Sequence, residues 1–447
     1  MPMTSGFPDT STRAAAASVM AKSPVSRLPT ARSDWSAGPP TTLSHGPKSW
    51  AAPTSRPRSS IASTERVAMS STLDATVARL HREAPFTDVH AHPSLKAWLY
   101  RRNLWRHYRS GKSFNPVSSR SDFKCLERGG VGVLWAAHYL PERQLFRDCR
   151  LARAAAAVLV PKHRRLLDGS LFERLLEMMD ALEREIERRP EKTELALSAA
   201  DAVRIRQAGK IAVVHTVEGA HILEGDPDNL DKLAERGVAM LTLCHFYPNE
   251  LAAHVDGIPK KMFLRKLSKF RFGAHGSPPL TDFGREVLKK LGTLPMIVDI
   301  SHCTPEAREA IYSELDGERP IIASHVGVEH LNSDPYNLGD DEIREIARRG
   351  GAVGVIFLNY WLDASHPKKG LDAIWKTIEH IESVTGSWDH IVLGTDFDGF
   401  TDPPNDLKDA SRLGRVTRML LDRGAPEEAI KKILGGNAQR VLAAGWR

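Results

Sequence analysis

Eight short hydrophobic runs alternate with helical patterns along this chain from Thr72 onward. Most of the runs are rich in Val, Ile and Leu without polar alternation, which is typical of parallel strands covered on both faces. The runs are residues 86–91, 129–138, 210–217, 238–245, 296–301, 320–324, 351–358 and 390–395. Eight such strands separated by helices predict an α/β fold of the (β/α)8, or TIM-barrel, class with insertions.

The segments between these runs carry the predicted helices. They are residues 144–188, 227–236, 282–292, 304–315, 340–349, 369–385 and 426–442. The competing fold, a doubly wound open sheet, would place a glycine-rich phosphate turn after the first strand. The sequence from His90 to Pro93 is instead His-Ala-His-Pro, so we favour the barrel.

The first 70 residues differ in composition from the rest of the chain. Residues 1–70 are rich in Ser, Pro, Ala, Thr and Arg and lack hydrophobic periodicity, which predicts a disordered extension. We expect the barrel domain to occupy residues 71–447. The low acidity of the extension is typical of a transit peptide. A tail without function, or a natural start at Met69, explains it equally well.

Composition narrows the class of protein. The formal net charge of +7 falls mostly in the first 74 residues, so the near-neutral remainder argues against a nucleic-acid partner. No stretch approaches the ~18 apolar residues of a membrane helix, and no membrane partner is expected. Four cysteines without a CxxC pair favour a reducing, cytoplasmic location. A homodimer is left open.

One basic insertion follows the fourth strand. Residues 260–272 interleave Lys and Arg with aromatic side chains. Such a segment is typical of a surface that binds a membrane or polyanion. More often such a segment is a helix packed on its own barrel, and a lid over the barrel mouth is a further possibility that the sequence leaves open.

Five of the hydrophobic runs end on residues that bind metal ions. The candidate ligands are His90, His92, Glu218, His302, His325 and Asp396. Imidazole and carboxylate are the usual ligands of zinc and similar divalent ions. Catalytic groups of (β/α)8 enzymes lie at the C-terminal ends of the strands. A single strand-terminal histidine is more often a core residue, but this ordered set predicts a metal site at the barrel mouth.

The ordered motifs together resemble the membrane (renal) dipeptidase family of zinc peptidases, within the amidohydrolase superfamily. The matching segments are Phe86–Pro93, Asp122–Pro141, Val217–Gly219, Leu241–His245, Leu280–Gly284, Val298–His302, Ser324-His325, Asp340-Asp341, Gly394–Gly399 and Gly435–Asn437. They run through nearly the whole chain after residue 85, and their order and spacing are more specific than any one of them.

This resemblance implies a hydrolase that cleaves the amide bond of dipeptides or similar small substrates with a bridging, metal-bound hydroxide. It implies two divalent metal ions, expected to be zinc. His90 and His92 would hold the first ion and His302 and His325 the second, while Glu218 would bridge them. The implied partner is a small-molecule substrate.

The same resemblance implies two catalytic residues. His245 would bind the substrate by polarising the scissile carbonyl, and Asp396 would position the hydroxide and pass its proton to the leaving amine. Alternatives remain at both positions. His245 is also readable as a core histidine beside Cys244, and Asp398 is a rival for the role of Asp396.

Two residues depart from the family pattern. His92 stands where the family usually has Asp, which removes a negative charge but leaves a competent ligand. Tyr336, predicted to contact substrate, stands where the family has an Arg that binds the terminal carboxylate of the peptide. A Tyr hydroxyl cannot supply that bidentate charge pairing. The alternative functions are therefore hydrolysis of another amide, lactam or lactone without a free carboxylate, or a non-catalytic barrel that binds a partner.

Overall fold

A computed structural model describes most of the chain. The described residues are 74–108, 110, 118–144, 157, 166–255, 278–363, 370–399 and 403–446. The predicted extension, residues 1–70, and the basic insertion, residues 260–272, lie outside the described residues, and the domain boundary between 70 and 71 stays a prediction.

Nine strands are present in the described residues. They are β1 Phe86–Ala91, β2 Val131–Tyr139, β3 Thr193–Leu195, β4 Ile211–Glu218, β5 Val238–Thr242, β6 Ile297–Asp299, β7 Ile321–Val326, β8 Ala352–Ile356 and β9 Ile391–Gly394. All except β3 form one parallel ladder in the order β1-β2-β4-β5-β6-β7-β8-β9. A parallel bridge between Ala91 and Phe397 joins the two ends. The barrel is therefore nearly closed, and the predicted fold class is confirmed.

Helices surround this barrel. They are Pro93–Leu99, Phe123–Arg128, Leu171–Glu187, Ala199–Gln207, Asn229–Glu235, Asp282–Leu291, Pro305–Glu314, Asp340–Arg348, Asn359–Leu362, Gly370–Thr385, Gly414–Asp422, Glu427–Lys431 and Asn437–Gly445. Several begin at a Ser or Thr side chain that accepts a backbone N–H of the first turn, as helix N-termini favour. The predicted terminal helix, residues 426–442, is interrupted by one π-helical turn, Lys432–Gly436.

Apolar side chains fill the barrel below the candidate site. Trp135, Val214, Met240 and Val392 belong to one buried cluster, which Trp446 of the C-terminal segment joins. Side chains two residues apart on a strand face the same way, so Val214 shares a face of β4 with Glu218. The candidate site at the strand ends therefore rests on a packed core.

Two features of the described residues bear on the environment of the protein. No helix among them is long and apolar enough to cross a bilayer. Three of the four cysteines fall within the described ranges, and Cys125, Cys244 and Cys303 are buried and form no disulfide.

Candidate metal centre

The parallel strands bring seven of the predicted site residues together at one end of the barrel. Each of them is at most 6% exposed: His90, His92, Glu218, His245, His302, His325 and Asp396. Three imidazoles converge on one oxygen, since Nε2 of His90, His302 and His325 lie 3.3, 3.1 and 3.3 Å from Oε1 of Glu218. This convergence is the core of the candidate metal centre.

The second oxygen of Glu218 faces a different group. Its Oε2 lies 3.6 Å from Nε2 of His92 and 3.9 Å from Nε2 of His245. Nε2 of His92 in turn lies 3.2 Å from Nε2 of His90 and 3.1 Å from Oδ1 of Asp396. The two oxygens of this carboxylate therefore face different candidate ligands, as a bridging carboxylate requires. His90 lies between the two groups, because its Nε2 is near both Oε1 of Glu218 and Nε2 of His92.

The donor set fits divalent metal ions. The Nε2 atoms of His302 and His325 lie only 2.9 Å apart, and both face the same oxygen of Glu218. Burial favours the neutral acid of Glu218, but the surrounding histidines, His245 and His90 first, hold the pKa of this carboxyl well below its usual range. A buried carboxylate needs a compensating cation, and imidazole with carboxylate suits zinc and its neighbours.

Burial also sets the form of His302. It lowers the pKa of this imidazole to about 3, with the hydrogen bond to Glu218 acting in the opposite direction. The ring is thus neutral, which is the state that binds a metal ion. His302 has φ 68°, an uncommon backbone conformation for a residue other than glycine, and such conformations cluster at functional sites.

A buried carboxylate supports the histidines from behind. Asp299 ends β6 and accepts hydrogen bonds from the hydroxyls of Ser324, Ser301 and Thr242 over 2.6, 2.8 and 2.6 Å. The Ser324 hydroxyl also lies 2.7 Å from Nδ1 of His325 and within hydrogen-bond distance of His90. Such partners orient metal-binding histidines.

A second buried carboxylate fastens the first strand to the last. Asp88 accepts hydrogen bonds from the backbone N–H and the hydroxyl of Thr395 over 3.0 and 2.6 Å. The backbone N–H of Asp396 then donates to the carbonyl of His90 over 2.8 Å. These bonds hold the ends of β1 and β9 in register and so fix the spacing between His90 and Asp396.

Glu142 is a residue of this site that the sequence did not predict. Its Oε1 lies 3.0 Å from Nδ1 of His245, and its Oε2 accepts the Tyr139 hydroxyl over 2.7 Å. Burial opposes its ionisation, but His245, together with His221 and the Tyr139 hydroxyl, outweighs burial and lowers the pKa of Glu142 to about 2. Glu142 follows the end of β2 by three residues. A search for carboxylates near the end of every predicted strand could therefore have found it.

The rival carboxylates Asp396 and Asp398 have different surroundings. Both have positive φ, 53° and 67°, so the chain after β9 no longer alternates as a strand does. Asp396 faces His92, whereas Oδ2 of Asp398 accepts four hydrogen bonds from Ser119, Arg120 and Ser121. Asp398 thus anchors the segment that precedes the helix Phe123–Arg128.

Tyr336 lies beneath the candidate ligands. It is fully buried, and its hydroxyl donates to the backbone carbonyl of His325 over 2.6 Å. Its ring stacks on Trp361 at 3.8 Å between centroids and meets His302 edge-on at 5.1 Å. Its hydroxyl is bonded to the protein backbone, and the predicted contact between Tyr336 and substrate stays a prediction.

The family model described as membrane dipeptidase (peptidase family M19) matches residues 74–445. A dipeptidase from Aspergillus terreus, ataJ, is 30% identical over 371 residues, which cover 80% of this chain and 84% of that protein. An uncharacterised Klebsiella pneumoniae protein from the pqqA 5′ region is 30% identical over 57% of this chain and 89% of its own length.

Solved structures share the fold at lower identity. A metallopeptidase from Rhodobacter sphaeroides, bound to a phosphinate mimic of the dipeptide L-Ala-D-Ala, superposes with a TM-score of 0.66. It is 20% identical, and the match covers 81% of this chain and 99% of that one. The probable dipeptidase PvdM from Pseudomonas aeruginosa gives a TM-score of 0.64 at 19% identity, over 84% and 98% of the two chains.

Proposed function

The chain belongs to the membrane dipeptidase family, peptidase family M19, and on that premise we propose that it is a zinc-dependent dipeptidase with two ions at the barrel mouth. Membership of the family makes it a metal-dependent hydrolase. The observation that carries the proposal is the convergence of His90, His302 and His325 on one oxygen of Glu218.

The proposed ligands divide into two sets. His90 and His92 would hold one ion, His302 and His325 the other, and Glu218 would contribute one oxygen to each. When bound, two divalent ions lower the pKa of a water molecule toward neutrality and stabilise negative charge on the carbonyl oxygen of the substrate. The groups available for this task are all buried at the mouth of the barrel.

The remaining steps fall to side chains of the protein. Asp396 is proposed to accept a proton from the attacking water and to deliver it to the leaving amine, as general acid–base catalysis requires of a carboxylate within hydrogen-bond reach. His245 is proposed to donate Nε2–H to the carbonyl oxygen, where negative charge develops. Glu142 supports this role because its Oε1 faces Nδ1 of His245 at 3.0 Å.

The proposed substrates are dipeptides, including those with a D-residue at the C-terminal side. One observation favours a second candidate, hydrolysis of a small amide, lactam or lactone that lacks a free carboxylate. No Arg lies between His325 and Asp341, and Tyr336 occupies the position where the family places a guanidinium. A cytoplasmic location is likewise a proposal, supported by described cysteines that form no disulfide.

Metal analysis and a substrate panel test the proposal. The full chain, purified without chelator, should retain at least two zinc ions per chain and hydrolyse dipeptides. The Asp396→Asn variant, purified in parallel, shows how much activity comes from contaminating peptidases. Well under one divalent ion per chain, or dipeptide hydrolysis that equals that of Asp396→Asn, would overturn the dipeptidase assignment. Activity on lactams or lactones alone would replace it with the second candidate.

A further inference from the structure

A separate cluster of metal-binding side chains lies outside the site described above. His107, Asp122 and Cys125 direct one nitrogen, one oxygen and one sulfur atom at a common point. The Cys125 Sγ lies 3.3 Å from Nδ1 of His107 and 3.4 Å from Oδ2 of Asp122, and these last two atoms are 3.6 Å apart. The three form one of the groups among the described residues whose ligand atoms all lie within 4.8 Å.

The size of this triangle matches the coordination shell of zinc. Tetrahedral zinc binds sulfur at about 2.3 Å and nitrogen or oxygen at about 2.0 to 2.2 Å, which sets sulfur about 3.5 to 3.7 Å from its neighbours and nitrogen about 3.3 to 3.6 Å from oxygen. The observed nitrogen–oxygen separation falls in that range, and the two sulfur separations are about 0.2 Å shorter than theirs. An ion at the common point therefore needs only small rearrangement of the side chains.

Local structure holds two of the three groups in place. Asp122 caps the helix Phe123–Arg128 by accepting the backbone N–H of Cys125 over 2.9 Å. The two side chains are fully buried, whereas the imidazole of His107 is 39% exposed. An ion can therefore reach the triangle from solvent along the exposed face of His107.

The charge around Cys125 favours a cation. Burial first, and then the carboxylates of Asp122, Asp409 and Asp398, raise the pKa of the Cys125 thiol. Lys96 lies 3.6 Å from Asp398, which compensates one of the three carboxylates. A divalent ion at the triangle would offset most of the remaining negative charge and stabilise the thiolate at the same time.

We propose that His107, Asp122 and Cys125 form a third metal site, selective for a thiophilic divalent cation such as Zn²⁺ and distinct from the two-ion centre. Binding displaces the thiol proton to solvent, and the thiolate, Nδ1 of His107 and one oxygen of Asp122 hold the ion. The ion would fasten the segment around His107 to the helix Phe123–Arg128. It takes no part in hydrolysis.

Cobalt substitution tests the site, because thiolate bound to Co²⁺ gives a charge-transfer band in the near ultraviolet that imidazole and carboxylate ligands do not give. The full chain is stripped with a chelator and titrated with Co²⁺ alone. We expect the band in the unmodified chain and in the matched control Cys149→Ser, and its loss in Cys125→Ser. Absence of the band, or its survival in Cys125→Ser, overturns the proposal.

The His107→Ala variant tests the same site without a substitution at a buried position. His107 is exposed, so its removal should leave the fold intact while total bound Zn²⁺ falls by one equivalent per chain. Rates of dipeptide hydrolysis should stay within about twofold. Unchanged zinc content in His107→Ala overturns the third site and leaves the two-ion centre unaffected, so the two proposals fail separately.

Discussion

The hydroxyl of Ser324 donates to Oδ2 of Asp299 over 2.6 Å, and this bond decides which nitrogen of two histidines carries hydrogen. A hydroxyl has one hydrogen to donate and two lone pairs to accept with. Its oxygen lies 3.2 Å from Nδ1 of His90 and 2.7 Å from Nδ1 of His325. Both histidines therefore carry hydrogen on Nδ1 and direct an Nε2 lone pair at the candidate metal centre.

Ser324→Ala should weaken metal binding. The variant removes the acceptor for both Nδ1–H groups, and loss of such a partner typically costs about 10- to 100-fold in metal affinity. Competition with a fluorescent zinc chelator measures the change. The control is Ser313→Ala, which removes an exposed hydroxyl that donates to Glu309 within one helix. Equal zinc affinity in the two variants would show that Ser324 does not orient the ligands.

Glu142→Ala should reduce turnover through His245. His245→Ala removes a proposed donor to the oxyanion, which typically costs about 10²- to 10³-fold in kcat, and loss of Glu142 should cost less than this. Because Glu142 acts by orienting His245, the double variant should be no slower than His245→Ala. Bound zinc should stay constant throughout. Additive losses in the double variant would mean that Glu142 has a role of its own.

Asp396→Asn and Asp398→Asn should fail in different ways. Loss of the proposed proton carrier in Asp396→Asn should lower kcat by about 10²- to 10⁴-fold with zinc content largely retained. Asp398 instead accepts four hydrogen bonds from residues 119–121, so Asp398→Asn should lower the Tm first. Kinetics and thermal unfolding of both variants decide the question. A stable but inactive Asp398→Asn would transfer the catalytic role to Asp398.

The barrel, and the clustering of the candidate ligands at one end of it, were predictable because they depend on local pattern. Most barrel strands are apolar runs, and the candidate ligands lie at or just after strand ends, as Glu218 ends β4 and Asp396 follows β9. Contacts between distant segments were not predictable. The choice between Asp396 and Asp398 depends on positive φ at both residues, which breaks strand alternation. The burial of Tyr336 depends on Trp361, a residue 25 positions away in the sequence.

The ionised carboxylate of Glu183 should contribute to stability above about pH 4.5. The hydrogen bond with His215 lowers the pKa of Glu183 to about 2, from an ordinary value of 4.5. The unfolded chain therefore takes up this proton at a higher pH than the folded chain does. The contribution is complete above about pH 4.5 and is lost as pH falls toward 2. Unfolding of Glu183→Gln should depend less on pH in that window than unfolding of Glu187→Gln, at an exposed position on the same helix.

Recognition of a terminal carboxylate should be weak. The Tyr336 hydroxyl donates to the backbone carbonyl of His325, and no Arg lies between His325 and Asp341. A hydrogen bond to a charged group is worth about 1.5 to 3 kcal/mol, or about 10- to 150-fold in kcat/KM. We therefore expect kcat/KM for a dipeptide and for its C-terminal amide to agree within a few-fold.

Tyr336→Phe separates packing from substrate contact in the same assay. The variant keeps the ring that stacks on Trp361 and removes the bond to the His325 carbonyl, so the free energy of unfolding should fall by about 1 kcal/mol. The ratio of kcat/KM between the free acid and the amide should not change, because the hydroxyl bonds to the protein backbone and not to the substrate. A strong preference for the free acid that disappears in Tyr336→Phe would instead show that Tyr336 contacts the substrate carboxylate.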